Sequence, residues 1–193
     1  MSVISNLQVY GLENSIRVSK FPMSTDVDLL TDFPTDTVRK LGRSEIGSGH
    51  DNFLCGIVAQ FDLTFTVKAW TEAERYHFFD IVSSQSTMHR ITKFDLDEAY
   101  IGYVDKRIVN IMKEMVKDYN DMVEGDEKRR QYLKILYSNP CGFKLTAGMT
   151  TNYRQLKTIV GQRKNHRLPE WREFCEEVMR FPMFRELCIG EQP

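Results

Sequence analysis

Between residues 58 and 69 the chain reads VAQFDLTFTVKA, with Phe61, Leu63, Phe65 and Val67 at every second position against Asp62, Thr64, Thr66 and Lys68. A period of two sends alternate side chains to opposite faces, so this segment is a half-buried strand and the chain must build a sheet around it. KLTAGMT at 144–150 reads as a second core strand, and NLQVYGL at 6–12 alternates enough to be another. Between them lie helical blocks. Pro34, Asp36 and Thr37 open a short helix through Leu41. Thr71 with Glu74 forms a capping box, which predicts a helix to about Ser83 whose later half, YHFFDIV, is core. Ile101, Val104, Ile108, Ile111, Met112 and Met115 recur at helical spacing and predict a long helix over 97–124. A further helix begins at EGDEKRR and runs to about Tyr137, closed by Asn139-Pro140. Thr151 or Asn152 caps another to about Asn165, and Pro169 opens the last. FPMSTDVDLLTDFPTDT, the Gly42–Gly49 turn and the polar stretch SSQSTMHRITKFDLDE read as loops. Strands separated by helices without βαβ regularity indicate an α+β fold.

The chain has 193 residues, which predicts one domain spanning 1–193. Lys and Arg number 26 against 27 Asp and Glu, for a formal net charge of −1. This balance excludes a globally basic nucleic-acid binder and an acidic tail. The apolar runs are far shorter than the ~20 residues of a membrane helix, so no membrane partner is expected. MSVISNLQVYG lacks the basic and apolar regions of a signal peptide. Cys55, Cys141, Cys175 and Cys188 are scattered without C-x-x-C spacing, and His50, His77, His89 and His166 form no paired grouping. No metal site or disulfide framework is expected, and the thiols suit a reducing cytoplasm.

The sharpest local feature is charge. From Asn152 to Arg172 six bases (Arg154, Lys157, Arg163, Lys164, Arg167 and Arg172) face one acid, Glu170. At 100° per residue, Arg154 shares a helix face with Lys157, Thr158 and Gly161, whereas Arg163 falls with Leu156, Ile159 and Val160 on the face that must pack. A packed arginine needs a carboxylate or a bound anion. It reads either as a snorkelling side chain capping the helix C-terminus or as a phosphate ligand at a buried edge. The two arginines are nine positions apart and so on opposite sides of one helix. If both bind ligand, the helix lies between two sites or at an interface that shares them.

The segment TTNYRQLKTIVGQRKNHRLPEWREF resembles the C-terminal block of flavin-dependent thymidylate synthases: Asn152, Arg154, Arg163 nine on, then Trp171 flanked by acids. Upstream, SGHDNF ahead of TFTVKA is similar to that family's histidine before an apolar strand. The resemblance covers about residues 47–95 and 144–180. It implies a central antiparallel sheet packed with helices, assembled as a homotetramer whose active sites are shared among subunits. It further implies FAD as cofactor and transfer of a one-carbon group from methylene-tetrahydrofolate to dUMP, with NADPH as reductant and no cysteine nucleophile.

By position, the resemblance assigns Asn152 and Arg154 to flavin, Arg163 to both flavin and nucleotide, and His50 with nearby Asn52 to the adenine or phosphate end of the flavin. The chain departs from the family's Arg-His-Arg signature, reading Phe79-Asp80-Ile81 there. Gln85, Ser86, His89 and Arg90 loosely replace its second half as the substrate-binding segment, with surface loop as the alternative reading. Lys134 stands near the place of a further phosphate-binding arginine. Asp80, among Phe78, Phe79, Ile81 and Val82, is a candidate buried acid with Arg75 or His77 as partner. Three readings follow: a divergent flavin-dependent nucleotide methylase or hydroxymethylase, a homologue that keeps the fold and binds nucleotide or flavin without turnover, and an unrelated helical interaction protein.

Overall fold

The computed structural model describes residues 2–190, so positions 1 and 191–193 of the expected domain lie outside the described residues. Its centre is a four-stranded antiparallel sheet in the order β1-β2-β4-β3, formed by β1 (Ile4–Tyr10), β2 (Val58–Thr66), β3 (Phe79–Ser84) and β4 (Lys144–Asn152). β2 and β4, the two strands clearest in the sequence, pair without interruption from Val58↔Asn152 to Thr66↔Lys144. Period-two patterning acts as expected through Phe65: Ala59, Phe61, Leu63 and Phe65 are buried, and Ala147, Met149 and Thr151 join them from β4, whereas Val67 opens the next helix instead of extending the strand to residue 69.

This face packs against α7 (Tyr153–Arg163) and α8 (Pro169–Val178), where Leu156, Ile159, Trp171 and Phe174 complete the core. Asn152 Oδ1 accepts from Gln155 N at 2.9 Å and caps α7, while Pro169 opens α8. Thr35 caps α2 (Asp36–Gly42), preceded by α1 (Leu12–Val18), an element the sequence did not reveal. Gly11, with φ 72, ends β1 where a Cβ would collide with the Gly56 carbonyl oxygen. That approach seats α1 beneath the 3-10 turn Asn52–Gly56.

Two helical expectations are corrected. Thr66, not Thr71, caps α3 (Val67–Ala73), its Oγ1 accepting from Ala69 N, so the helix starts and ends early. Phe78 then takes φ 59, its carbonyl accepts from Thr151 Oγ1 at 2.6 Å, and residues 79–84 pair with β4 as the edge strand β3. Pairing to a formed strand, helped by β-branched Ile81 and Val82, outweighs the local helical pattern. YHFFDIV is not core: of residues 78–82 only Phe79 is buried, while Phe78, Ile81 and Val82 are exposed. Asp80 is likewise exposed and is no buried acid.

The polar stretch after β3 holds the short α4 (Thr87–Arg90) and a 3-10 turn that buries Ile91. The long helix begins nine residues later than its spacing suggests: Asp105 caps α5 (Lys106–Asp121) by accepting from Arg107 N at 2.9 Å. Ile101 and Val104 precede it, and Ile108 and Ile111 face outward, so Met112 is the fully buried member of that series. α6 (Asp126–Ser138) packs against α5 over a second cluster of Ile91, Leu96, Met112, Ile135 and Phe143. Among the described residues no helix is long and apolar enough to cross a membrane.

Candidate functional site

The anomalous basic segment becomes α7, whose two ends carry the two arginines toward different partners. At the N-terminal end, Asp51 is completely buried beneath the Asn52–Gly56 turn. Arg154 Nε donates to its Oδ1 at 2.9 Å, and Lys157 Nζ donates to its Oδ2 at 2.8 Å and to Ser44 O at 2.5 Å. Lys157 thus shares a face with Arg154, as the wheel indicated, and both turn toward Asp51. Lys157 is buried, because a carboxylate with two oxygens can hold both cations.

Arg154 Nη1 reaches Asn52 Oδ1 at 3.0 Å and Cys55 Sγ at 4.0 Å. Its Nη2 has no partner among the described residues, and the side chain is one-third exposed. Burial works against the Arg154 charge, yet the contact to Cys55 and the Asp51 carboxylate outweigh it and raise the pKa above the ordinary guanidinium value. A permanently charged fork, locked at Nε and Nη1 and free at Nη2, suits a phosphate or carboxylate oxygen. His50 lies exposed two residues before Asn52. The structure thus brings Asn52 to Arg154 and leaves His50 beside them in sequence. Asn152 spends its side-chain oxygen on the helix cap.

At the other end, Arg163 is mostly buried, as its packing-face position required. Its Nη1 donates to Glu72 Oε2 at 2.9 Å and lies 2.8 Å from His166 Nε2, and its Nε donates to Tyr76 OH at 2.7 Å. The guanidinium carbon stands 5.0 Å from the Trp171 ring centroid and 5.4 Å from that of Tyr76. The partner is a carboxylate of α3, the counter-charge that a packed arginine needs. Arg75, His77, Gln155 and Gln162 border an open hollow of about 370 Å³ beside Arg163.

The remaining candidates sit elsewhere. Gln85 extends the β3 ladder: its N donates to Thr146 O and its Oε1 accepts from Thr146 N, both at 2.9 Å. Ser86 precedes α4, and His89 and Arg90 are exposed on it. Among the described residues no hydrogen bond or ion pair joins the 85–90 segment to Arg154 or Arg163. Lys134 is exposed on α6.

Asp51, Glu72 and Tyr76 escaped sequence reasoning. Asp51 had one signal, its place between a glycine-rich turn and a turn-forming run. Glu72 had none once the capping box was placed at Thr71.

No protein-family model matches the sequence, and no curated protein matches it in sequence. The fold is nevertheless similar to solved structures. One is the flavin-dependent thymidylate synthase ThyX from Helicobacter pylori complexed with FAD and dUMP: TM-score 0.72, 13% identity, 96% of this chain and 96% of that chain covered. Another structure of ThyX from Helicobacter pylori with FAD and dUMP matches with a TM-score of 0.70 at 12% identity, covering 93% of this chain and 92% of that one. At such identity what is shared is the fold.

Proposed function

We propose that this chain, as one thymidylate synthase complementing-protein-like domain, binds FAD and a pyrimidine deoxynucleotide and transfers a one-carbon group to the nucleotide. Methylene-tetrahydrofolate would be the carbon source and NADPH the reductant, in a reducing cytoplasm. The observation that carries this reading is the fold likeness along 96% of both chains to an enzyme whose complex contains FAD and dUMP.

The residues at the start of α7 fit a flavin nucleotide. Arg154 keeps Nη2 for an anionic oxygen, Asn52 flanks it, and His50 is exposed nearby. Asp51, itself anchored by Lys157, and Asn52 hold that guanidinium in place, so binding needs little reordering of a long side chain. The bound flavin would supply the hydride chemistry, leaving the protein to position ligands and neutralise phosphate. Arg163, at the opposite end of α7, would serve a second ligand, and Gln85, Ser86, His89 and Arg90 would meet the nucleotide. Sites built from such separated groups need residues from several subunits. A homotetramer provides them, and exposed Ile81 and Val82 on the edge strand, with exposed Phe78 just before it, support burial against another copy.

A second reading keeps the binding and drops the turnover. It is favoured by the Glu72 carboxylate already on Arg163, and by residues 79–81, which are Phe, Asp and Ile on a strand where the family signature reads Arg-His-Arg. The test is to incubate the protein with FAD, dUMP, methylene-tetrahydrofolate and NADPH and to separate the nucleotides chromatographically. Formation of dTMP or of another one-carbon adduct supports the first reading. Nucleotide or flavin binding without product supports the second, and absence of both contradicts the two together.

A further inference from the structure

A cavity of about 230 Å³ lies where the end of β2 meets the starts of β4 and α8 and the loop at Tyr100–Gly102. Two of its wall residues carry opposite charges that the fold leaves unmatched. Glu170, the second residue of α8, is 6% exposed. Thr66 Oγ1 donates to its Oε1 at 2.6 Å, but its Oε2 is buried and has no hydrogen-bond partner among the described residues. A buried acceptor of this kind is costly until a donor reaches it. Its place in the first turn of α8 favours negative charge there.

Lys144, the first residue of β4, lines the same cavity, and its ammonium has no hydrogen bond or ion pair among the described residues. The two charges do not satisfy each other. Other polar walls are already engaged: Tyr100 OH donates to Asn139 Oδ1 at 2.8 Å, the Thr64 and Thr146 hydroxyls bond across 2.8 Å, Ser2 Oγ bonds to Ile4 O and Glu177, and Glu173, the third charged wall residue, has a partner of its own. Discrimination therefore falls to Glu170 and Lys144. The volume is below the ~300–1,000 Å³ of sites for drug-sized ligands, which limits the occupant to a small metabolite.

We propose that this cavity binds a free amino acid as its zwitterion, with the ammonium group on Glu170 Oε2 and the carboxylate on Lys144 Nζ. A ligand with one charge of each sign satisfies both groups at once, whereas a ligand with a single charge leaves one unmet. The site lies apart from Arg154 and Arg163, and it stands whether or not the chain binds flavin.

The test is isothermal titration of the whole chain with each of the proteinogenic L-amino acids. At least one should bind with a Kd of about 1 mM or tighter, and its decarboxylated amine and deaminated acid should each bind at least about tenfold more weakly. Glu170→Gln, which keeps the Thr66 contact, and Lys144→Met should each weaken binding about tenfold while thermal unfolding stays near the parent. Absence of binding by every amino acid up to about 10 mM overturns the proposal, as does equal binding of either singly charged analogue or unchanged affinity in Lys144→Met. The Lys144 variant carries the test alone if Glu170→Gln fails to fold.

Discussion

Arg163 Nη1 donates to Glu72 Oε2 across 2.9 Å, with only 16% and 17% of the two side chains exposed, so the packing-face arginine of α7 closes on a carboxylate of α3. Removing one member of a buried pair strands the other charge. Arg163→Ala should therefore lower stability by about 3 kcal/mol in urea unfolding, and the double variant Arg163→Met with Glu72→Gln should recover part of that loss. A single variant as stable as the parent would show that the pair contributes nothing.

Asp51 is the stronger anchor, because it is fully buried and answers both Arg154 and Lys157. Asp51→Asn leaves two cations against a neutral amide and should cost about 3–5 kcal/mol, measured by guanidinium unfolding. Adding Lys157→Met should restore a share of it, since the buried ammonium is then gone. If the second change deepens the loss instead, the account of the cluster is wrong.

Thiol reactivity should divide in two. Cys55 and Cys141 are exposed, whereas Cys175 and Cys188 are buried, and burial pushes the Cys175 thiol up to about 12 and that of Cys188 higher still. At pH 8 an aromatic disulfide reagent should titrate two thiols quickly in the native protein and all four after denaturation. Four fast thiols would contradict the packing of α8 against the sheet.

The same groups set the behaviour in alkali. Cys175 moves from an ordinary 9.0 to about 12, and Tyr100 from 10.0 to about 12, both through burial. Between those values the unfolded chain releases protons that the folded chain retains, so folding stability falls as pH rises from about 9 to 12. Thermal unfolding followed across that range should show a declining Tm, with a shallower decline for Cys175→Ala after allowance for its lost packing. A Tm that rises over the same interval would reverse the sign argued here.

The sheet's two central strands were legible because VAQFDLTFT and KLTAGMTTN place their apolar residues at period two, and tertiary pairing reinforces that pattern. β3 was not, since FFDIV has as many apolar residues on a helical wheel as along a strand. Its identity depends on Thr151 clasping Phe78 and on β4 being there to pair with. The same limit governed the site. Spacing alone separated Arg154 from Arg163 and required a counter-charge for Arg163. It did not reveal that the counter-charge was Glu72, or that Asp51 drew Lys157 inward, because both partners lie about ninety or more residues away in sequence.

The most direct test of the flavin-binding account is to titrate FAD into the purified protein, following flavin fluorescence and visible absorbance, with Arg154→Ala alongside and the mass measured in solution. The account predicts saturable binding with the absorbance of bound flavin, a tetrameric mass, and at least about tenfold weaker binding in the variant, since the free Nη2 of Arg154 is the donor left for an anionic oxygen. A colourless protein that takes up no added FAD, or one whose affinity is the same without Arg154, would contradict it.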